Sequence, residues 1–342
     1  MGDYGIRREE GAMKRVSLVL TLSALLVCAT GALGQELRGP AHLRMGTMDL
    51  GSAYYVYGAT FAKLWREVLP KGSTIDVLPF AGGVGNALLI EKEDADLGLL
   101  FGVTANWAIN GKVAFSKKID VITGLVGGLD RYYAGIIATK RSGITSLEDV
   151  AKKKMPVRIV SQPVGSASET SMKLILQAYG MSYDDIKSWG GSVTPTATNV
   201  AQNQMMDGKA DVWINMIVAG HPAISELAIS TELVFLPMGD EVIRKLEEFG
   251  FEKDFLPAKT FKGQDQDVAM LGWPTMLVAH RDIKPEVAYV LTKTLVEKKE
   301  DLVKGHAALK DFDPAQAWNF RKYGVPLHPG AEKYYREKGM LK

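Results

Sequence analysis

The five histidines, His42, His221, His280, His306 and His328, are the side chains best suited to metal or acid–base chemistry, and their spacing supports neither. No two stand four apart and no His-Glu-x-x-His pattern occurs, so each reads as a structural histidine. Gly165-Ser166-Ala167-Ser168 lacks the second glycine of a nucleophile elbow. Ser166 with Glu169 fits a capping box at a helix start; its rival role is to hold a ligand carboxylate together with Ser168 and nearby N–H groups. Gly82-Gly83-Val84-Gly85 does not match the six-residue dinucleotide fingerprint, and no Lys-Ser/Thr pair follows it as in a phosphate loop. With no nucleophile, metal set or acid/base pair in view, the chain is expected to be neither an enzyme nor a cofactor carrier.

What remains is a set of small and hydroxyl-bearing residues suited to binding. Gly46, Thr47 and Ser52 precede Tyr54 and Tyr55, which either line a cleft or begin a helix core. Gly82, Gly83 and Asn86 form a second group, Gln162, Gly165, Ser166 and Ser168 a third, and Thr194 and Thr196 a fourth, with Asn215 at a strand end. The loops at 46–55, 81–86, 161–168 and 192–198 hold no lysine or arginine. A ligand charge there must be met by hydroxyls and by the free N–H groups of helix N-termini.

The elements that would position these groups follow from hydrophobic periodicity. Strands at 43–45, 75–78 and 96–100 alternate with helices, one of which carries Phe61, Leu64, Trp65 and Val68 on one face before Pro70 ends it. A matching series begins with a strand at 157–160 and a helix bearing Met172, Ile175, Leu176 and Tyr179. A segment ending near Trp189, the loop 192–198, a helix through Val200 and Met205, and a strand at 211–214 complete it. Ala95-Asp96-Leu97 and Ala210-Asp211-Val212 occupy equivalent places 115 residues apart, since 211 − 96 = 115. The expected architecture is α/β, with two similar lobes facing a cleft across the carboxyl ends of their strands. The first lobe is expected over 42–132 and 238–342 and the second over 133–237, with a crossing near 131–137 and a return between 233 and 238.

The composition is that of a globular protein: 342 residues, 46% hydrophobic, with 41 lysines and arginines against 39 acidic residues. That balance offers no basic face for nucleic acid. Lys14-Arg15, an apolar run to Ala29, and small Ala32 and Gly34 before Gln35 give the order of a secretory signal, expected over 1–34. Translation starts at either Met1 or Met13, since Glu9 and Glu10 are unlike a signal flank. The single cysteine, Cys28, lies in this leader, so the mature chain would hold none. A periplasmic monomer is expected.

Gly46-Thr47, Gly51, Tyr54-Tyr55 and Gly58 resemble the opening motif of the TAXI receptors, the extracytoplasmic solute receptors of TRAP transporters. Gly82-Gly83 through Asp94-Ala95-Asp96-Leu97, the segments 142–149, 178–180 and 183–186, and above all the segment from Pro326-Leu327-His328-Pro329 to Tyr334-Tyr335 are similar to the same family. The resemblance implies a type II periplasmic binding protein fold, a small organic-acid ligand and a TRAP-type permease partner driven by an ion gradient. Two loops depart from it. Met48-Asp49-Leu50 interrupt the first, and Phe101, Gly102 and Val103 stand where the family commonly has Gln-Ser-Asp. An apolar wall there favours a monocarboxylate with an apolar body over a dicarboxylate or glutamate. Asp49 either faces the cleft and repels a second charge or caps the following helix. N-terminal sequencing of exported protein is expected to begin at Gln35, and a start upstream of Met13 would contradict the proposed leader.

Overall fold

The computed structural model describes residues 39–80 and 82–341, together with Met1, Gly2 and Leu37. The expected leader, apart from Met1 and Gly2, lies outside the described residues. The chain divides into a unit at 1–38 and a compact unit at 39–342, and every strand and helix described belongs to the second. Among the described residues no helix is long and apolar enough to cross a membrane.

Strands β1 (His42–Gly46), β2 (Thr74–Leu78) and β3 (Leu97–Phe101) alternate with helices Ala53–Arg66 and Gly83–Glu91. After β4 (Ile122–Val126) and β5 (Tyr132–Thr139), strands β6 (Arg158–Ser161), β7 (Ser192–Pro195) and β8 (Val212–Val218) alternate with helices Ala167–Ala178, Tyr183–Ser188 and Thr198–Met206. Then come β9 (Leu233–Phe235), β10 (Glu252–Leu256), β11 (Val268–Trp273) and β12 (Thr275–His280). One sheet has the order β2-β1-β3-β12-β4 and the other β10-β11-β5-β8-β6-β7, with β9 also on β5. Both contain the same parallel triplet, β2-β1-β3 and β7-β6-β8.

The two triplets share a staple as well as an order. Arg44 donates its backbone N–H to Asp96 Oδ2 at 2.7 Å and its Nε–H to the same oxygen at 3.3 Å. Arg158 makes the equivalent bonds to Asp211 Oδ2, both at 2.9 Å. The aspartate that precedes each third strand therefore ties it to the first, which is the physical content of the repeated Ala-Asp. One element departs from expectation. Ser182 and Asp185 form a reciprocal capping box that makes 183–188 a short helix, so the second strand of this lobe is β7, within the expected loop.

The chain passes between sheets twice. It leaves the first sheet after Val126 and enters the second at Tyr132, and it returns across Pro274 between β11 and β12. The return expected between 233 and 238 is thus corrected: β10 and β11 pair antiparallel with each other, and β11 pairs with β5, keeping the chain in the second sheet to Trp273. Proline without an N–H suits the one residue between two strands of different sheets. The crossings lie side by side. Leu129 N–H donates to Thr275 O at 3.2 Å, and Thr275 N–H donates to Asp130 Oδ1 at 2.9 Å.

The chain after Pro274 builds on the first sheet. Helix Pro285–Glu297 packs on β4 and on helix Ala53–Arg66, accepting the Trp65 indole N–H at Leu291 O, 3.1 Å. The Pro326–Tyr335 motif anchors helix Pro329–Glu337: His328 Nδ1 accepts the Gly330 N–H and Tyr335 donates to Leu125 O at 2.8 Å. The motif most specific to the resemblance is thus a structural clamp.

Asp130 is 4% exposed, and burial pushes its carboxyl up to about 6, against hydrogen bonding from Thr275. A raised carboxyl pKa favours the protonated form in the folded protein. Its stability contribution is therefore complete below about pH 4 and lost as pH rises through 6. That loss is on the order of 3 kcal/mol for about two pK units. Compared with Asp130→Asn, the wild-type unfolding free energy should fall by about that amount between pH 4 and pH 7, measured by urea denaturation. Parallel pH profiles would contradict it.

Candidate functional site

The N-terminal residues of four helices, two from each lobe, line one cavity: Ser52 and Tyr54, Gly83, Ala167 and Ser168, and Thr198. Parallel strands bring their following helices to the same edge, and the first N–H groups of a helix have no partner within it. The space unfilled by atoms is ≈ 340 Å³ with the solvent at its mouth included, and ≈ 20 Å³ of it admits the centre of a water molecule, so the walls lie close together. Gly83 allows the lobes to meet, because a Cβ there would lie 3.2 Å from Ala167 Cβ and 3.3 Å from Thr104.

One wall is aromatic. Tyr54, Phe101 and Tyr132 form a triangle with ring centroids 4.8 to 5.5 Å apart, and Met48 and Met216 extend the apolar lining. The other wall is polar, made by Ser52, Gln162, Ser168, Thr198, Asn215 and His221. Asn215 is 2% exposed and its Nδ2 has no hydrogen-bond partner; His221 Nδ1 is likewise unpartnered. Burial, with His306 nearby, pushes the His221 pKa down to about 3, so it is neutral at neutral pH. No lining residue carries a charge there. The arrangement suits an anion of single charge with an apolar body, received by N–H groups, an amide and hydroxyls.

Of the residues expected from sequence, Ser52, Tyr54, Gly83, Phe101, Gln162, Ser168 and Asn215 come together on this cavity. The others take structural places. Thr47 donates its hydroxyl to Leu78 O at 2.9 Å. Asn86 donates to Leu99 O at 2.9 Å, and Gly46 leaves room for it, since a Cβ would lie 2.8 Å from Asn86 Oδ1. Gly82, at φ 73°, begins its helix in a conformation that favours glycine. Gly102 packs against the Tyr323 ring, Val103 is buried, and Tyr55 donates its N–H to Ser52 Oγ. Ser166 is wholly buried and its Oγ accepts the Glu169 N–H at 3.1 Å, which is the capping role. Gly165 forms the preceding turn at φ 86°. Thr194 lies exposed in β7, and Thr196 donates its N–H to Ser161 O.

Sequence reasoning reached Met48, Ala167 and Thr198 only as members of the candidate loops, without singling them out, and missed Tyr132, Met216 and His221. His221 follows the carboxyl end of β8, so the rule that selected the other loops also reaches it. Of the two roles expected for Asp49, the structure excludes the cap and turns the side chain toward the cleft. Ser52 caps helix Ala53–Arg66, while the Asp49 carboxylate crosses the cleft to Thr198 at 2.6 and 2.8 Å. Burial raises its pKa, against those bonds.

The sequence model of the NMT1-like family matches residues 45–339, which include every residue of the cavity. The chain belongs to the NMT1-like family. Solved structures similar to this NMT1-like protein include the periplasmic binding protein BugD, 14% identical with a TM-score of 0.52, covering 89% of this chain and 98% of that one. MatC from Rhodopseudomonas palustris, solved with bound malate, is 15% identical with a TM-score of 0.52, covering 89% and 100%. A protein from Bordetella bronchiseptica RB50 is 14% identical with a TM-score of 0.52, covering 87% and 98%. The shared feature is the two-lobed fold of periplasmic binding proteins.

Ser166→Ala should lower the unfolding free energy by about 1 kcal/mol through loss of the cap and leave carboxylate affinity unchanged. Urea denaturation beside calorimetric titration checks both, and weakened binding at full stability would return Ser166 to the site.

Proposed function

We propose that the chain is an extracytoplasmic solute receptor of the periplasm, acting as a monomer that closes two lobes on a small organic acid and delivers it to a TRAP-type permease. The observation that carries this reading is the cavity between the lobes. It joins four helix N-termini, an unpartnered buried amide at Asn215 and an aromatic wall, without a charged lining residue. A monocarboxylate would set its oxygens against Asn215 and the N–H groups of helix Gly83–Glu91, which no side chain caps. Its apolar body would lie on Tyr54, Phe101 and Tyr132, gaining about 25 cal/mol per Å² of apolar surface buried. Two chain crossings at adjacent points suit opening and closing about them. The TRAP-type partner is proposed from the resemblance of the loop and C-terminal motifs to TAXI receptors.

Asn215→Leu keeps the branched shape of the side chain, with two methyl groups in place of the amide O and NH2, and removes the unpartnered donor. It should raise stability while weakening the binding of four- to six-carbon monocarboxylates at least tenfold, about 1.4 kcal/mol. Calorimetric titration of ligand-stripped protein checks this, and unchanged affinity would remove Asn215 from the site. Uptake of the bound acid into vesicles carrying the permease should require an ion gradient and no ATP.

A further inference from the structure

The loop after β1 carries Asp49 from the first lobe to the second. Its Oδ2 accepts the Thr198 N–H at 2.6 Å and its Oδ1 accepts the Thr198 hydroxyl at 2.8 Å. Thr198 opens a nine-residue helix whose N-cap, Ala197, offers no side-chain cap. A carboxylate that holds one N–H and one hydroxyl at a helix N-terminus is the arrangement a ligand carboxylate would adopt. Here the protein supplies that carboxylate itself. Gln162 Oε1 stands 3.1 Å from the same hydroxyl, so this part of the cavity is occupied by protein groups. Other parts of the lining differ: helix Gly83–Glu91 has no side-chain cap, and the Asn215 amide, 2% exposed, has an unpartnered Nδ2 on the same cavity. No lysine or arginine lines the cavity to balance a second anion.

We propose that Asp49 determines specificity by occupying the anion position at Thr198 whenever the lobes close, so that the receptor accepts an acid with one carboxylate and rejects one with two. The proposal rests on the reading of the cavity as an organic-acid site and names the residue that sets its class. A monocarboxylate leaves the Asp49 bonds to Thr198 intact and adds its own anion at Asn215. A dicarboxylate of equal length brings its second carboxylate beside Asp49 with no cation between them, or expels Asp49 and breaks the bonds that join the lobes. Like charges at close range in a partly desolvated cleft disfavour the first outcome. Loss of the latch disfavours the second.

Butanoate and succinate share a four-carbon chain and differ by one carboxylate, which makes them suitable probes for calorimetric titration of the full ligand-stripped protein. Asp49→Asn removes the charge and keeps an acceptor for Thr198; Asp49→Ser also shortens the side chain and leaves the helix end open to a ligand. The wild type should bind butanoate more tightly. The ratio of the succinate to the butanoate dissociation constant should fall at least tenfold in both variants. A ratio is insensitive to the fraction of folded protein, so partial unfolding of either variant does not imitate the effect. Butanoate binding with a ratio unchanged in both variants would overturn the role of Asp49 and leave the receptor reading standing, and tighter wild-type binding of succinate would do the same. Binding of neither acid by the wild type at millimolar concentration would overturn the organic-acid reading and this proposal with it.

Discussion

The pairing of the two chain crossings governs the rest of the molecule. Asp130 and Thr275 belong to separate passages between sheets, 145 residues apart in sequence, and one hydrogen bond from the Thr275 N–H to the Asp130 carboxyl joins them. The neighbouring Leu129 to Thr275 bond makes that junction a short piece of backbone pairing. From it, β12 extends into the first sheet and β5 into the second, so the same point fixes where both strands begin. The position of the cleft follows. Tyr132 and Phe101 sit where the two sheets approach, and the aromatic wall grows directly from the junction.

The second constraint is the parallel triplet in each lobe. Three parallel strands end at one edge, and the helices that follow them start there with unpaired N–H groups. Two triplets facing each other gather those groups without a lysine or arginine. The polar wall is then finished by uncharged side chains, Ser52, Gln162, Ser168, Thr198, Asn215 and His221. Methionines 48 and 216 add apolar surface that can adapt its shape.

Much of this architecture was legible in the sequence because it depends on local periodicity. Alternating strands and helices, the repeated Ala-Asp at 95–96 and 210–211, and the glycine-rich loops each carry a signal within a few residues. The repeat proved to have a cause, the paired staples Arg44–Asp96 and Arg158–Asp211. Contacts between distant segments carried no such signal. The hydroxyls of Thr47 and Thr194 look as suitable as that of Thr198, yet one is taken by the Leu78 carbonyl and one lies in an exposed strand position. Asp49 reaches its partner only when two lobes close, which no spacing along the chain expresses. The return to the first sheet was hidden for a similar reason, since nothing along the chain says that β10 and β11 pair with each other and with β5.

The place of β12 also sets an order of assembly. It lies between β3 and β4, pairing antiparallel with both. As the chain is made from its N-terminus, β1 to β4 are present long before residue 275, yet β3 and β4 must wait with facing edges unfilled. The second sheet can align β5, β6, β7 and β8 by residue 218 and add β11 later at its side. The first half of the chain to be synthesised is therefore the last to close its sheet, and its completion is coupled to the arrival of the segment that also forms the second passage between lobes. A chain cut short before Thr275 would lack the strand that joins β3 to β4 and would expose two strand edges open to pairing with other molecules.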